Sequence, residues 1–442
     1  MKIKLLTVAM LSTTLFLTAC GGDDNESAVF VPKPEIPENN IKDPVVGMPT
    51  AYTKSDFSLV ASESSVMTYK MLGQNGQETT ATSLVFVPKG TMPADGWKIV
   101  AWAHGTTGVA DICAPSLNVT NEYVYAMISK FLAAGYIVVA PDYEGLGEPS
   151  GHELHPFLNV KSEAYSITDA VVAARSYLSS QGKMTSRQWM TVGHSQGGQA
   201  ALGAAQYASR AKLDYKGTIA VAPASNLGAI LTNGELSVKD APVNFQIPVY
   251  AQLDTFTALI TAGLRNNNLT FSYSNVFKSP TDLIASKAES NCSGALGNQF
   301  VGGMQNYLKT NVDLKNYPRT QTNFMALPLV KEFLEKDSQP AQVKLNQPVV
   351  IYQGAKDTTV PKEATDALVF DAANKGSTIR YVTNPEWDHG TAYVLNIENI
   401  VNDNNLDFHE IEEVYKESEE KLKSYNKKDK VKKSFKDFRK LK

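Results

Sequence analysis

Residues 189–205 read WMTVGHSQGGQAALGAA, and this stretch decides the fold. Its first four residues are typical of a buried strand, and the small residues from Gly198 onward are typical of a helix start. Between them, residues 193–197 form a G-x-S-x-G motif, in which flanking glycines relieve the collisions that Cβ atoms would cause at a strained turn. The alternative is a glycine-rich turn with a capping serine. The context favours Ser195 as a nucleophile at a strand-to-helix turn, where helix N–H groups stabilise negative charge.

Strand and helix signals alternate on both sides of this turn. The predicted strands, which are short and apolar, are 98–103, 136–140, 188–193, 217–222, 348–352 and 378–382. The predicted helices are 121–134, 162–180 and 197–212. Before them, two β-prone runs at 65–71 and 79–87 flank Asn75-Gly76 and predict an antiparallel hairpin. The alternation predicts an α/β fold with a mostly parallel sheet covered by helices.

The alternation stops between residues 224 and 345. This stretch is rich in Asn and Ser and has apolar residues at helical spacing, without clear buried strands. It predicts a mainly helical cap inserted into the α/β core. The core then consists of residues 51–223 and 346–402.

A loop suited to stabilising an oxyanion follows the strand 98–103. Residues 104–108 read HGTTG, and a loop at this place can direct a backbone N–H at the carbonyl oxygen that Ser195 attacks. We expect the backbone N–H groups of Thr106 and Gln196 to be the donors. His104 is expected to brace the loop by hydrogen bonds rather than to act on substrate.

The base that a serine nucleophile needs is a histidine, and the chain has six. His389 follows the last predicted strand and precedes an apolar helix, which is the right place for the base. His152 and His155 lack the spacing of a metal-binding helix, and the neighbouring Gly and Pro oppose a helix there. No metal site is therefore predicted. His409 lies in a polar tail.

The acid is expected between serine and histidine in chain order. Asp357 lies on a loop after strand 348–352, at the same sheet edge as Ser195. Asp388 is the rival, but a residue adjacent to His389 cannot easily reach its Nδ1 atom. Asp357 is therefore the predicted partner of the base, against the alternative that it only forms a turn.

The amino-terminal segment is typical of an export signal. Lys2 and Lys4 precede an apolar run that is too short to span a bilayer. The run ends in Leu17-Thr18-Ala19-Cys20, which resembles the bacterial lipoprotein cleavage box. That resemblance implies a signal peptide over residues 1–19, a diacylated Cys20 and a lipid anchor in the bacterial cell envelope. The alternative is an ordinary signal peptide with an incidental cysteine.

The segments next to the anchor and at the far end of the chain are polar. Residues 20–50 carry five prolines among polar residues and are predicted to be an extended tether. Residues 403–442 form a charged, Lys-rich tail, and its last 22 residues hold eleven Lys or Arg against two Asp. This tail is either solvated or a basic amphipathic helix on an anionic membrane.

The two remaining cysteines are Cys113 and Cys292. An even count in an oxidising compartment favours a disulfide between them, with two free buried thiols as the alternative.

The motifs together resemble the secretory lipase family, which includes fungal lipase A type enzymes and bacterial relatives. The segments that carry the resemblance are 103–108, 141–147, 193–197, 354–361 and 388–390. The resemblance implies an α/β-hydrolase fold with a helical cap, no cofactor, and hydrolysis of acyl esters or triacylglycerols. The lipid anchor and the tail beyond about residue 402 depart from the family pattern.

Composition is that of an ordinary globular protein, with 43% hydrophobic residues and a net charge of -3. This balance offers no reason to expect a nucleic-acid partner. The sequence therefore predicts a lipid-anchored serine hydrolase that cleaves carboxylic esters through Ser195, Asp357 and His389. A peptidase or amidase of the same fold, or a non-catalytic binding lipoprotein, is the alternative.

Overall fold

The computed structural model describes residues 36–147 and 153–405. The predicted signal peptide, Cys20, His152, His409 and nearly all of the charged tail lie outside the described residues. Nine strands form one sheet within the described part of the chain. They are β1 Thr50–Ala51, β2 Ala61–Leu72, β3 Glu78–Pro88, β4 Trp97–Ala103, β5 Ile137–Pro141, β6 Thr185–His194, β7 Asp214–Val221, β8 Val349–Gly354 and β9 Ile379–Asn384.

The sheet order is β1-β2-β3-β5-β4-β6-β7-β8-β9. Strands β1, β2 and β3 pair antiparallel, and β3 also pairs antiparallel with β5. All pairs from β5 through β9 are parallel. The hairpin predicted around Asn75-Gly76 is confirmed as β2–β3, and the predicted mostly parallel sheet is confirmed.

Helices cover both faces of the sheet. The helices of the α/β core are α1 Glu122–Ala133, α2 Val160–Ser180, α3 Gln196–Tyr207, α10 Lys362–Asn374, α11 Thr391–Val394 and α12 Ile397–Asn405. Side chains alternate along β4, so Ile99 packs towards α2 and α3 whereas Val100 packs towards α1 and α12. The central parallel strands, such as β4, β5 and β8, are therefore buried on both sides, which explains their apolar sequences, whereas β9 at the edge of the sheet is only half-buried.

The segment between β7 and β8 is helical, as the sequence predicts for 224–345. Its helices are α4 Leu227–Val238, α5 Val243–Arg265, α6 Tyr273–Val276, α7 Thr281–Ala285, α8 Ser293–Tyr307 and α9 Pro328–Glu332. They enclose an apolar cluster that includes Leu259 and Phe300. A buried ion pair joins Asp254 to Arg319 at 2.8 Å. No helix among the described residues is long and apolar enough to cross a membrane.

Residues 36–50, which form the last part of the predicted tether, pack against the core and are not a free linker. The backbone N–H of Val46 donates to Thr68 at 2.9 Å. The side chain of Asn39 donates to Asp169 at 2.8 Å, and Asp169 also holds Arg210. The composition of this segment predicts poor apolar burial, but hydrogen bonds to β2 and to a buried ion pair hold it in place.

Candidate active site

Ser195 occupies the strand-to-helix turn that its sequence predicts. It lies between β6 and α3 with φ of 61° and ψ of -121°. A Cβ atom on Gly197 would lie 2.0 Å from the carbonyl oxygen of Ala103, and one on Gly193 would lie 2.1 Å from the oxygen of Gly197. Only glycine fits at either position, because the turn presses α3 against the sheet.

Asp357 and His389, which are 32 residues apart, meet beside this turn. His389 Nδ1 lies 2.8 Å from Asp357 Oδ2. The carboxylate is buried, and its Oδ1 atom accepts hydrogen bonds from the backbone N–H groups of Thr359 and Val360. Because the carboxylate is an acceptor, His389 Nδ1 carries the proton and Nε2 is left with a lone pair. This is the orientation that a general base needs.

Asp388, the rival acid, is exposed, and its carboxylate forms hydrogen bonds with Thr391. Its side chain accepts a hydrogen bond from the backbone N–H of Thr391 at 2.8 Å, at the start of α11. Hydrogen bonds from Thr391 lower the pKa of this carboxyl group. Asp388 therefore stabilises the turn after His389 and does not reach the imidazole.

Ser195 and His389 line one cavity, which also contains Thr106. Among the described residues, none forms a hydrogen bond with Ser195 Oγ. Such contacts are often long in enzymes without substrate and shorten when substrate binds. The cavity therefore joins the predicted nucleophile, the predicted base and one predicted oxyanion donor.

His104 braces the loop that carries Thr106. The imidazole is buried, with Nδ1 2.7 Å from the carbonyl oxygen of Gly105 and Nε2 3.1 Å from that of Asp142. Burial lowers the pKa of His104 to about 4, so the ring is neutral at physiological pH. Tyr143 stacks on the ring with centroids 4.2 Å apart, and its hydroxyl donates to the His104 carbonyl at 3.0 Å. The bracing role predicted for His104 agrees with these contacts.

Asp142 anchors the loop 141–147 through hydrogen bonds to two neighbouring elements. Its carboxylate accepts a hydrogen bond from the Thr82 hydroxyl at 2.6 Å and one from the Ser116 backbone N–H at 2.9 Å. Burial raises the pKa of Asp142 to about 6, although both hydrogen bonds act in the opposite direction. The carboxylate thus joins the sheet, the loop after β5 and the loop after β4.

Sequence reasoning missed a buried polar network around Gln196. The Gln196 side-chain nitrogen lies 2.7 Å from Glu163 Oε1 and 2.8 Å from His155 Nε2. His155 Nδ1 donates to the carbonyl oxygen of Glu144 at 2.9 Å, so Nε2 is free to accept. Both side-chain amide protons of Gln196 are then hydrogen-bonded. These bonds hold Gln196 in position, and its backbone N–H is one of the predicted oxyanion donors.

Glu163 could have been found from helical periodicity. It lies four residues before Ile167 on α2, and both side chains are fully buried. A glutamate on the apolar stripe of a helix requires polar partners, because burying an unpaired carboxylate is costly. Its partners, Gln196 at the strand-to-helix turn and His155 in the loop after β5, are distant in sequence, so the sequence does not reveal them.

The disulfide favoured by the cysteine count is confirmed. Cys113 and Cys292 are bonded, with Cα atoms 5.4 Å apart. Cys113 follows the loop 104–108, and Cys292 precedes α8 in the helical segment. The backbone N–H of Ser293 also donates to the carbonyl oxygen of Thr107 at 2.8 Å. The helical segment is therefore tied to the region of the loop 104–108 by a disulfide and by a hydrogen bond.

Residues 36–147 and 153–405 contain no cluster of three His, Cys, Asp or Glu side chains that could hold a metal ion. The site presents a serine, a histidine oriented by a carboxylate, and backbone N–H groups.

Comparisons with known proteins identify the family and the fold. The sequence profile of the secretory lipase family matches residues 113–402. No curated protein matches the chain. Candida antarctica lipase A in its closed state is similar, with a TM-score of 0.60 at 16% identity over 81% of this chain and 80% of that one. The rice cell wall degrading esterase LipA from Xanthomonas oryzae has a TM-score of 0.58 at 18% identity, over 81% of this chain and 96% of that one. Since the family profile covers more than half of the residues, the chain belongs to the secretory lipase family of α/β hydrolases.

Proposed function

We propose that this secretory lipase family member cleaves carboxylic esters by acyl transfer through Ser195, with His389 as general base and Asp357 as the carboxylate that orients it. Family membership supports a carboxylic ester hydrolase. The observation that carries the residue assignment is the 2.8 Å contact between His389 and Asp357 at the cavity that contains Ser195.

The first step forms an acyl-enzyme. Ser195 Oγ attacks the ester carbonyl carbon while His389 Nε2 takes the hydroxyl proton. Negative charge develops on the carbonyl oxygen, where the N–H groups of Thr106 and Gln196 would each contribute about 3–4 kcal/mol. The carbon–oxygen bond to the alcohol then breaks, and the alcohol leaves with the proton from His389.

The second step releases the acid. A water molecule gives a proton to His389 and attacks the acyl carbon. The bond to Ser195 Oγ then breaks, and the proton returns from His389 to the serine. The buried Asp357 stabilises the imidazolium that forms in each step, because its charge faces Nδ1.

The proposed location is the bacterial cell envelope, with a lipid anchor on Cys20. The cleavage box at residues 17–20 supports this proposal. The Cys113–Cys292 disulfide also suits an oxidising compartment. A full-length chain expressed in bacteria should incorporate labelled fatty acid and partition into detergent, and a Cys20→Ala variant should do neither. Equal labelling of both proteins would rule out the anchor.

The proposed nucleophile is tested with p-nitrophenyl butyrate and a fluorophosphonate probe. Ser195→Ala should lose at least about 10⁴-fold in kcat and should not react with the probe. Ser209→Ala is the matched control. Ser209 is exposed and lies in the short 3₁₀ helix Ala208–Ala211 that directly follows α3. Equal turnover by wild type and Ser195→Ala would refute the assignment. Activity on aminoacyl amides alone would favour a peptidase instead.

A further inference from the structure

Ser195 lies at the junction of two cavities of very different size. The wide cavity has a volume of about 930 Å³ and includes His389, Thr106 and Ser195 in its wall. The narrow cavity has a volume of about 30 Å³ and includes Gln196, Thr106 and Ser195. His389 contributes to the wide cavity and Gln196 to the narrow one. The reaction centre is thus flanked by unequal compartments.

The walls of the narrow cavity are almost entirely apolar. The contributing side chains come from the loop before α2 and from α4 and α5, and they include Phe157, Leu158, Leu227, Ile230, Leu231 and Ile260. They carry no charge, and none of the other residues in this wall is charged. Most of these side chains are also part of the buried apolar cluster of the helical segment. The compartment is therefore apolar and bounded by packed side chains that resist expansion.

The proposed reaction decides which part of an ester enters each compartment, so this inference rests on the proposed function. The leaving oxygen must receive a proton from His389, which places the alcohol portion on the side of the wide cavity. The carbonyl oxygen must face the N–H groups of Thr106 and Gln196. The remaining substituent of the carbonyl carbon is the acyl chain, and it points away from His389 towards the narrow cavity.

We propose that the narrow cavity is the acyl subsite and that it restricts this enzyme to uncharged short acyl groups, while the wide cavity admits bulky alcohols. A compartment of about 30 Å³, against about 930 Å³ on the other side of Ser195, has room for only a few atoms beyond the carbonyl. Acetyl to butyryl groups fit this limit. Longer chains would have to displace packed side chains.

Leu231 and Ile260 form the end of the acyl subsite. Both side chains also line a second small apolar cavity of about 10 Å³ between α4, α5 and α9. Leu231 is 8% exposed and, like Ile260, contributes to the walls of both spaces. Shortening this side chain should join them and lengthen the subsite towards Leu264 and Val276.

The test measures kcat/KM for p-nitrophenyl acetate, butyrate, octanoate and laurate, each below its solubility limit. For the wild type we expect a fall of at least about 100-fold from butyrate to octanoate, because the extra methylenes find no space. A parallel series of butyrate esters with ethyl, benzyl and naphthyl alcohols should vary by less than about ten-fold. Octanoate turnover equal to butyrate turnover would overturn the inference.

Leu231→Ala should raise the octanoate-to-butyrate ratio by at least about ten-fold. Leu253→Ala is the matched control, because Leu253 is 7% exposed in the same apolar cluster and lines neither small cavity. It should leave the ratio unchanged. If Leu231→Ala does not fold, Leu231→Val supplies a smaller change, for which we expect a rise of at least about three-fold. An unchanged ratio in a folded Leu231 variant would also overturn the inference.

The two proposals fail in different ways. Turnover of p-nitrophenyl butyrate by Ser195→Ala at the wild-type rate would refute the proposed function itself. The expected loss of at least about 10⁴-fold in Ser195→Ala, together with efficient octanoate hydrolysis by the wild type, would leave the proposed function standing and overturn only the acyl-length limit.

Discussion

His194 Nε2 lies 2.9 Å from the backbone carbonyl oxygen of His389. Because that oxygen can only accept, Nε2 carries a proton and donates it. The His194 ring also stacks on Tyr393, with centroids 5.0 Å apart and an interplanar angle of 11°. Burial lowers the pKa of His194 to about 3, and the nearby His389 acts in the same direction, so the ring stays neutral. The residue before the nucleophile thus holds the backbone of the proposed base.

This contact predicts that His194→Phe lowers kcat by about 10–100-fold with little change in KM. The phenyl ring can keep the stacking on Tyr393, but it cannot donate to His389, and small errors in the position of a base are costly. Steady-state kinetics with p-nitrophenyl butyrate measures the effect. His194→Gln retains an N–H donor and should recover part of the loss. A His194→Phe enzyme with wild-type kcat would contradict the positioning role.

The Cys113–Cys292 disulfide should contribute strongly to stability. It closes a loop with a sequence separation of 179 residues, for which the chain-entropy account gives about 5 kcal/mol. We expect the Cys113→Ser/Cys292→Ser double variant to lose about 2–5 kcal/mol in the free energy of unfolding. Urea titration with and without reductant measures this. Reductant should destabilise the wild type to the same extent and should not affect the variant. If reductant destabilises the variant as much as the wild type, the loss of stability does not come from this disulfide.

The turn at Ser195 should not accept any side chain at Gly197. Gly197→Ala would place Cβ 2.0 Å from the Ala103 carbonyl oxygen, a backbone atom that cannot move without displacing β4. We expect a loss of more than about 3 kcal/mol, or no soluble protein. Gly302→Ala is the control, since a Cβ there meets nothing within 4 Å and alanine favours a helix by about 0.5–1 kcal/mol. Similar melting temperatures for the two variants would contradict the structure of the turn.

The buried imidazole of His104 should make stability depend on pH. Its pKa falls from 6.5 to about 4 on folding, so between these values the unfolded chain binds a proton that the folded chain does not. The stability associated with the neutral ring is therefore complete above pH 6.5 and is lost as pH falls towards 4. A His104→Asn variant lacks this titration. The stability difference between wild type and variant should shrink by up to about 3 kcal/mol from pH 7 to pH 4.

Chemical denaturation of both proteins at pH 7, 6, 5 and 4 measures this difference. Other titrating groups, such as Asp142 with its pKa raised to about 6, are present in both proteins and largely cancel. If this difference in stability stays constant from pH 7 to pH 4, burial does not lower the pKa of His104 in the folded protein.

Much of the fold could be predicted because its signals are local. The strand predicted at 98–103 is observed as Trp97–Ala103, and the helix predicted at 162–180 as Val160–Ser180. Buried parallel strands need continuous apolar runs, and the helices between them need apolar spacing near 3.6 residues. Asp357, which chain order and sheet edge indicate as the partner of the base, lies beside His389. The contacts that hold residues 36–50 could not be predicted, because their partners, such as Asp169 and Arg210, are distant in sequence.

The sequence by itself determined the strand, the sharp turn and the helix around Ser195, because steric limits on glycine-flanked backbone act between neighbouring residues. It also determined which residue types were available for acid and base. Only the tertiary structure decided that Glu163 and His155 hold Gln196, that His194 holds His389, and how much space lies beyond the serine. Those features depend on side chains from separate elements packing to within a few tenths of an ångström, and no local pattern records that distance.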